Sequence, residues 1–109
     1  MIATATIDTV MQALAVPTRR AVFERIVQSG EITVAELTRG SGVTQGAISQ
    51  HLKSLKQAGL VAERAQGRNV YYRARPEGLE PLADWMGHYG AFWRDRFADL
   101  RALLEEIDP

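Results

Sequence analysis

Apolar residues recur at helical spacing through the first half of the chain, at strand spacing for a short stretch, and at helical spacing again towards the end. Ile7, Val10, Met11 and Leu14 share one helix face that stops before Pro17. Pro17 suits the first position of a second helix, where its missing N–H removes no bond. Ala21, Val22, Ile26 and Val27 point inward there with Phe23 beside them, and Gly30 ends it. Thr33 followed by Glu36 has the spacing of a capping box, so a short helix runs from Val34 to about Arg39 and buries Val34 and Leu37. Gly40 to Val43 forms a turn, and Thr44 is the expected N-cap of the next helix.

That next helix is amphipathic with a bare polar side. Ile48, Leu52 and Leu55 fall on one face, spaced to dock on a core. Gly46, Gln50, Lys53 and Gln57 lie opposite, with Gln45, Ser49 and Lys56 on the shoulders, and Gly59 stops the helix. Taken alone, such a face is an ordinary solvated one. Its context changes the picture. Two short helices joined by a glycine-containing turn, the second polar outside, form a helix-turn-helix pattern.

The period then shortens. Residues 60–65 and 69–75 are short runs with β-branched and aromatic residues, and Gln66-Gly67-Arg68-Asn69 between them has hairpin-tip chemistry. A hairpin directly after such a helix is a wing, and Arg64, Arg68, Arg73 and Arg75 give it positive charge. Tyr71 and Tyr72 alternate across the second strand, one facing in and one out. From Leu79 to Ile107 the pattern predicts one long helix, with Leu79, Leu82, Met86, Tyr89, Trp93, Phe97, Leu100, Leu104 and Ile107 in a stripe widened by Trp85, Phe92 and Leu103. At 1.5 Å per residue it would be about 44 Å long, more than so small a domain covers, so part of the stripe needs a second chain. Gly87 and Gly90 weaken it by roughly 1 kcal/mol each relative to Ala, which leaves packing to hold it together.

The fold class expected is therefore mainly α with a β-hairpin wing, in the order α-α-α-α-β-β-α: a winged helix-turn-helix that dimerises through its terminal helices. Residues 1–109 form a single domain, with a body over 7–75 and a dimerisation helix over 79–107. The dimer interface predicted is Val10, Leu14, Met86, Tyr89, Trp93, Phe97, Leu100 and Leu104.

Formal net charge is zero, which by itself argues against a nucleic-acid partner. Its distribution argues the other way. Residues 1–75 hold ten Lys/Arg against five Asp/Glu, and residues 76–109 hold three against eight. A basic body carries an acidic C-terminal segment. There is no cysteine, so disulfides, thiolate metal sites and cysteine nucleophiles are excluded. Met1 to Asp8 lacks a basic region followed by an apolar run, and no apolar stretch reaches bilayer length, so the expectation is a cytoplasmic chain without membrane contact.

Taken together, Ala15-Val-Pro-Thr-Arg-Arg-Ala-Val22, Val34-Ala-Glu-Leu37, the run from Gln45 to Val61 and Gly67-Arg-Asn-Val-Tyr-Tyr-Arg73 resemble the ArsR/SmtB-like winged-helix repressors. The match spans about residues 10–75. The tail, with Phe92-Trp-Arg-Asp-Arg-Phe97, is similar to the branch whose members commonly lack metal-sensor motifs. The resemblance implies a homodimer that binds a palindromic operator and represses nearby genes. It also locates departures. Thr33 and Ala35 stand where arsenic- and cadmium-type sensors place thiols. Aligned on Asp84, the zinc- and nickel-type pattern finds Met86, Phe97 and Leu100 instead of its other ligands. Neither metal site is expected to form.

The remaining candidate chemistry is sparse. His51 borders the apolar face of the polar helix, suiting packing or a phosphate contact, and His88 follows Asp84 by one helical turn, too few ligands for a usual zinc site. Arg19 and Arg20 suit ion pairs or phosphates equally. Ser49 has no His and acid arranged around it, so no catalytic residue and no cofactor are assigned. The reading is a sequence-specific regulator of duplex DNA. Gln45, Gly46, Ser49, Gln50 and Lys53 enter the major groove, the capping Thr44 counts with them as DNA-binding, and wing residues Arg64 and Arg68 reach phosphates or the minor groove. The alternative is a winged-helix interaction module that binds a partner protein through its aromatic C-terminal helix. No inducer is legible.

Overall fold

The computed structural model describes residues 6–107; the first five residues, which hold most of the segment expected to carry no leader, lie outside them. Helix α1 (Ile7–Ala15) is capped by Thr6, whose hydroxyl accepts from Thr9 N at 3.3 Å. Helix α2 (Pro17–Ser29) follows after one residue, with proline in its first turn. Arg20 reaches back across that joint, donating from Nη1 to the Leu14 carbonyl at 2.7 Å, so it serves the exposed C-terminus of α1.

Strand β1 (Glu31–Thr33) is an element the periodicity did not predict. It runs straight into α3 (Val34–Thr38), so Thr33 is both the last strand residue and the N-cap, accepting from Glu36 N at 3.2 Å and donating to Glu36 Oε1 at 2.9 Å. Arg25 closes the other end of α3, donating to the Leu37 carbonyl at 3.0 Å. Helix α4 (Gln45–Gln57) begins on the Thr44 hydroxyl, which accepts from Ala47 N. It ends in a Schellman motif: Leu60 N bonds the Leu55 carbonyl, Gly59 N bonds that of Lys56, and Gly59 takes φ +77°.

Strands β2 (Val61–Gln66) and β3 (Asn69–Ala74) form the wing hairpin, turning at Gly67 with φ +61°. The sheet has the order β1-β3-β2, antiparallel throughout, with Ile32 opposite Tyr72 and Arg64 opposite Tyr71. The wing is thus a three-stranded sheet rooted in the body, and Tyr71 and Tyr72 do face opposite sides.

One core joins these elements. Val10, Val22, Phe23, Ile26, Leu37, Ile48, Leu52, Leu55, Leu60 and Val61 are buried together, and among the described residues no polar side chain is buried with them. Each fully buried aliphatic or Phe side chain contributes about 1.5–3 kcal/mol. Contrary to expectation, Val10 is fully buried within its own chain and offers no surface to a partner. Ala21 and Val27, expected inside, are exposed, because α2 presents only the Val22, Phe23 and Ile26 face to the core.

The C-terminal segment also departs from expectation, since it is not one helix from Leu79 to Ile107. A 3₁₀ turn (Pro76–Leu79) leads into α5 (Glu80–Gly87), and after His88 and Tyr89 the chain resumes as α6 (Gly90–Ile107). Gly87 and Gly90 flank the break, and Tyr89 N bonds the Met86 carbonyl three residues back, the tighter pattern of a helix end. Helix α5 packs on α1, and Leu79 and Leu82 reach the core. Beyond them nothing in α6 is buried. The radius of gyration, 17.9 Å, exceeds the roughly 13 Å of a compact chain this long, so α6 projects as an arm. Among the described residues, no helix is long and apolar enough to cross a membrane.

Candidate nucleic-acid interface

Burial of Ile48, Leu52 and Leu55 fixes the rotation of α4 about its axis, and that rotation decides what the helix shows outside. Gln45, Gly46, Ser49, Gln50 and Lys53 are all exposed, as is the capping Thr44. No Cβ added at Gly46 would meet anything within 4 Å, so the glycine leaves a shallow place on an open surface. A helix is about 10–12 Å across with side chains, the width of the major groove of B-form DNA. The amides of Gln45 and Gln50 each offer one acceptor and two donors, the set that pairs with the edge of adenine.

The tertiary structure brings the start of this helix and the tip of the wing together. Gln45 and Arg68 share the rim of a shallow cleft of about 280 Å³ with Thr33, Ala35, Asn69 and Val70. Thr33 and Ala35 therefore line this cleft, carrying a hydroxyl cap and a methyl group. Among the described residues, no three His, Asp or Glu side chains gather as a metal site would need. His51 is half-buried with Nδ1 turned away from solvent and unpartnered, which places it with the packing of α4.

Arg64 and Arg68, predicted as equivalent wing contacts, differ. Arg68 stands exposed at the tip and makes no ion pair among the described residues. Arg64 is engaged within the chain. Its Nη2 and Nε donate to the two Glu31 carboxylate oxygens at 2.6 and 3.3 Å, and its Nη1 to Gln66 Oε1 at 2.6 Å. Its guanidinium also lies 5.0 Å from the Tyr71 ring centroid. The hydrogen bond from Arg64 holds the Glu31 carboxyl below its ordinary range.

A second brace joins the recognition helix to the wing. Lys56 pairs with Glu63, and Tyr72 Oη donates to the same carboxylate at 3.2 Å. The Lys56 bond, then the Tyr72 bond, lower the Glu63 carboxyl. Lys56 is thus a strut rather than part of the outward face. Residues 31 and 64 lie far apart in the chain and share no local pattern, so sequence reasoning could not pair them.

Opposite in character is the arm. Met86, Tyr89, Trp93, Phe97, Leu100 and Leu104 are 43–60% exposed. Trp85, Tyr89, Phe92 and Trp93 enclose an almost wholly apolar cleft of about 230 Å³. Leu14, the other predicted interface residue, is half-buried and packs on its own core.

A helix-turn-helix domain family matches residues 14–64. The chain is 47% identical over 75 residues to the HTH-type transcriptional regulator Rv2034 of Mycobacterium tuberculosis, covering 69% of each protein. A crystal structure of a possible transcriptional regulator for arsenical resistance superposes with TM-score 0.65 at 39% identity, over 89% of this chain and 96% of that one. The chain belongs to the ArsR/SmtB family of winged helix-turn-helix transcriptional regulators. The homodimeric winged helix-turn-helix DNA-binding domain of Mb0332 from Mycobacterium bovis, a possible ArsR-family transcriptional regulator, matches with TM-score 0.62 at 28% identity over 78% of each chain. Within the ArsR/SmtB fold, α3 and α4 are the helix-turn-helix and the β2–β3 hairpin is the wing.

Proposed function

We propose that the chain works as a cytoplasmic homodimer that represses transcription by occupying a palindromic operator. The observation that carries this reading is the outward face of α4, where every side chain from Thr44 to Lys53 that does not enter the core is polar or small. Gln45, Gly46, Ser49, Gln50 and Lys53 read the major groove, Thr44 holds the helix start against a phosphate, and Arg68 reaches the backbone beside it. Arg64 contributes by stiffening the wing. The second copy covers the arm, whose apolar side chains are not buried within the chain. With two half-sites, the recognition helices sit about 34–36 Å apart, one turn of the duplex, and the operator repeats about every 10–10.5 bp.

Footprinting and fluorescence anisotropy on a palindromic site test this. Gln50→Ala lowers operator affinity by roughly 1–3 kcal/mol and relaxes the preference at one base pair. Arg68→Ala weakens all sequences alike and flattens the dependence on salt by about 0.9 in log–log slope for each phosphate that is no longer neutralised. A chain that dimerises yet shows no salt-dependent binding to any duplex refutes the reading in favour of a protein-interaction module.

A further inference from the structure

Among the described residues, Arg64 is the one wing arginine whose guanidinium is held on several sides at once. Its edge meets both oxygens of Glu31, its remaining terminal nitrogen meets Gln66, and Tyr71 covers one face. The sheet register makes this possible. Glu31 on β1 and Arg64 on β2 flank the central strand β3, opposite Arg73 and Tyr71 respectively, so their side chains meet diagonally over one sheet face. This is a forked, charge-assisted contact that a phosphate oxygen would have to displace. Both residues remain exposed, so the displacement is governed by competition for the cation and not by access.

We propose that Glu31 is a positioning residue that withholds Arg64 from the DNA backbone and thereby limits sequence-independent affinity. The physical reason is counterion release. Each cation that neutralises a phosphate steepens the salt dependence of binding by about 0.9 in log–log slope, whatever the base sequence. A wing with Arg68 alone at its tip makes fewer such contacts than one in which Arg64 also swings free. The ratio of base-reading contacts on α4 to plain phosphate contacts is therefore set in part by a carboxylate on β1.

The inference rests on the DNA-binding reading above, and its test separates the two. Salt titrations on a random-sequence duplex compare the full-length wild type with Glu31→Gln, Arg64→Ala and the double variant. Glu31→Gln is expected to steepen the slope by about 0.9 per protomer, about 1.8 for a dimer. Lowering salt from about 200 to 50 mM then strengthens its binding about tenfold more than it does the wild type's. Arg64→Ala alone leaves the slope unchanged, and the double variant returns to the wild-type slope. Equal slopes for wild type and Glu31→Gln overturn the proposal. So does a slope that falls equally on removing Arg64 in both backgrounds, because Arg64 would then already touch DNA. A wild type without salt-dependent duplex binding removes the DNA-binding reading itself.

Discussion

Gly78 is where the C-terminal helices are seated on the body, and Gly78→Ala tests that seat. The 3₁₀ turn lies directly on the junction between α4 and β2. A methyl group at Gly78 would stand 2.1 Å from the Gly59 carbonyl oxygen, 2.9 Å from its carbon and 3.2 Å from Leu60 Cα. All three are backbone atoms, so no side chain can swing aside. Restoring an ordinary C···O separation requires the turn to lift by about 1.2 Å. Overpacking of this kind costs about 1–3 kcal/mol. The lift also strains the hydrogen bond from Arg75 N to the Leu60 carbonyl, 2.8 Å long, with a net value of about 0.5–1.5 kcal/mol.

Together these come to roughly 2–4 kcal/mol, a large part of the 5–15 kcal/mol by which domains are usually stable. At roughly 4–8 °C per kcal/mol, the melting temperature falls by at least about 8 °C. Thermal melting followed by circular dichroism, with urea titration for the free energy, reads the loss. Gly46→Ala is the control, since a Cβ there meets nothing within 4 Å; it is expected to be neutral or to stabilise by up to about 1 kcal/mol. A Gly78→Ala chain that melts within about 2 °C of the wild type would show that the turn is not packed on this junction.

Three further outcomes are expected. Gly46→Leu keeps the melting temperature but lowers operator affinity at least about tenfold, because the side chain projects where the groove edge must approach; unchanged affinity by anisotropy would remove the N-terminal turn of α4 from the interface. Phe97→Asp with Leu100→Asp yields a folded monomer by sedimentation, since both positions are half-exposed or more and lie outside the core of their own chain; a persistent dimer would place the interface elsewhere. The carboxyls of Glu31 and Glu63 are held below their ordinary value of 4.5, the first by Arg64 and the second by Lys56 and then Tyr72. Such depressed carboxyls support the fold above the ordinary carboxylate range and stop doing so as pH falls through their folded values. Both braces therefore stay intact from pH 8 to about 5 and weaken in stronger acid. Glu31→Gln with Glu63→Gln should flatten the acid limb of melting temperature against pH, and an unchanged limb would show that the braces add nothing.

The helices α1 to α4, their caps at Thr33 and Thr44, the stop at Gly59 and the hairpin after it were legible in the chain because each has a local cause. A 3.6-residue period, a hydroxyl before a helix and a glycine after it act within a few residues of themselves. The rotation of α4 follows from Ile48, Leu52 and Leu55 alone, and with it the outward face that carries the function. What lay beyond the sequence is what depends on distant partners. Strand β1 is three residues long, too short for any period to show, and it exists because β3 offers it an edge. Val10 shares its helix face with Leu14, but only the packing of α1 on the body shows that it is fully buried in its own chain. The long C-terminal stripe is continuous in sequence, yet the helix breaks at His88 and Tyr89, between Gly87 and Gly90, two residues of low helix propensity. Arg64 and Arg68 look alike in the chain, and only the sheet register, which sets Glu31 diagonally across from the first, separates a cation tied to its own protein from one left to the solvent.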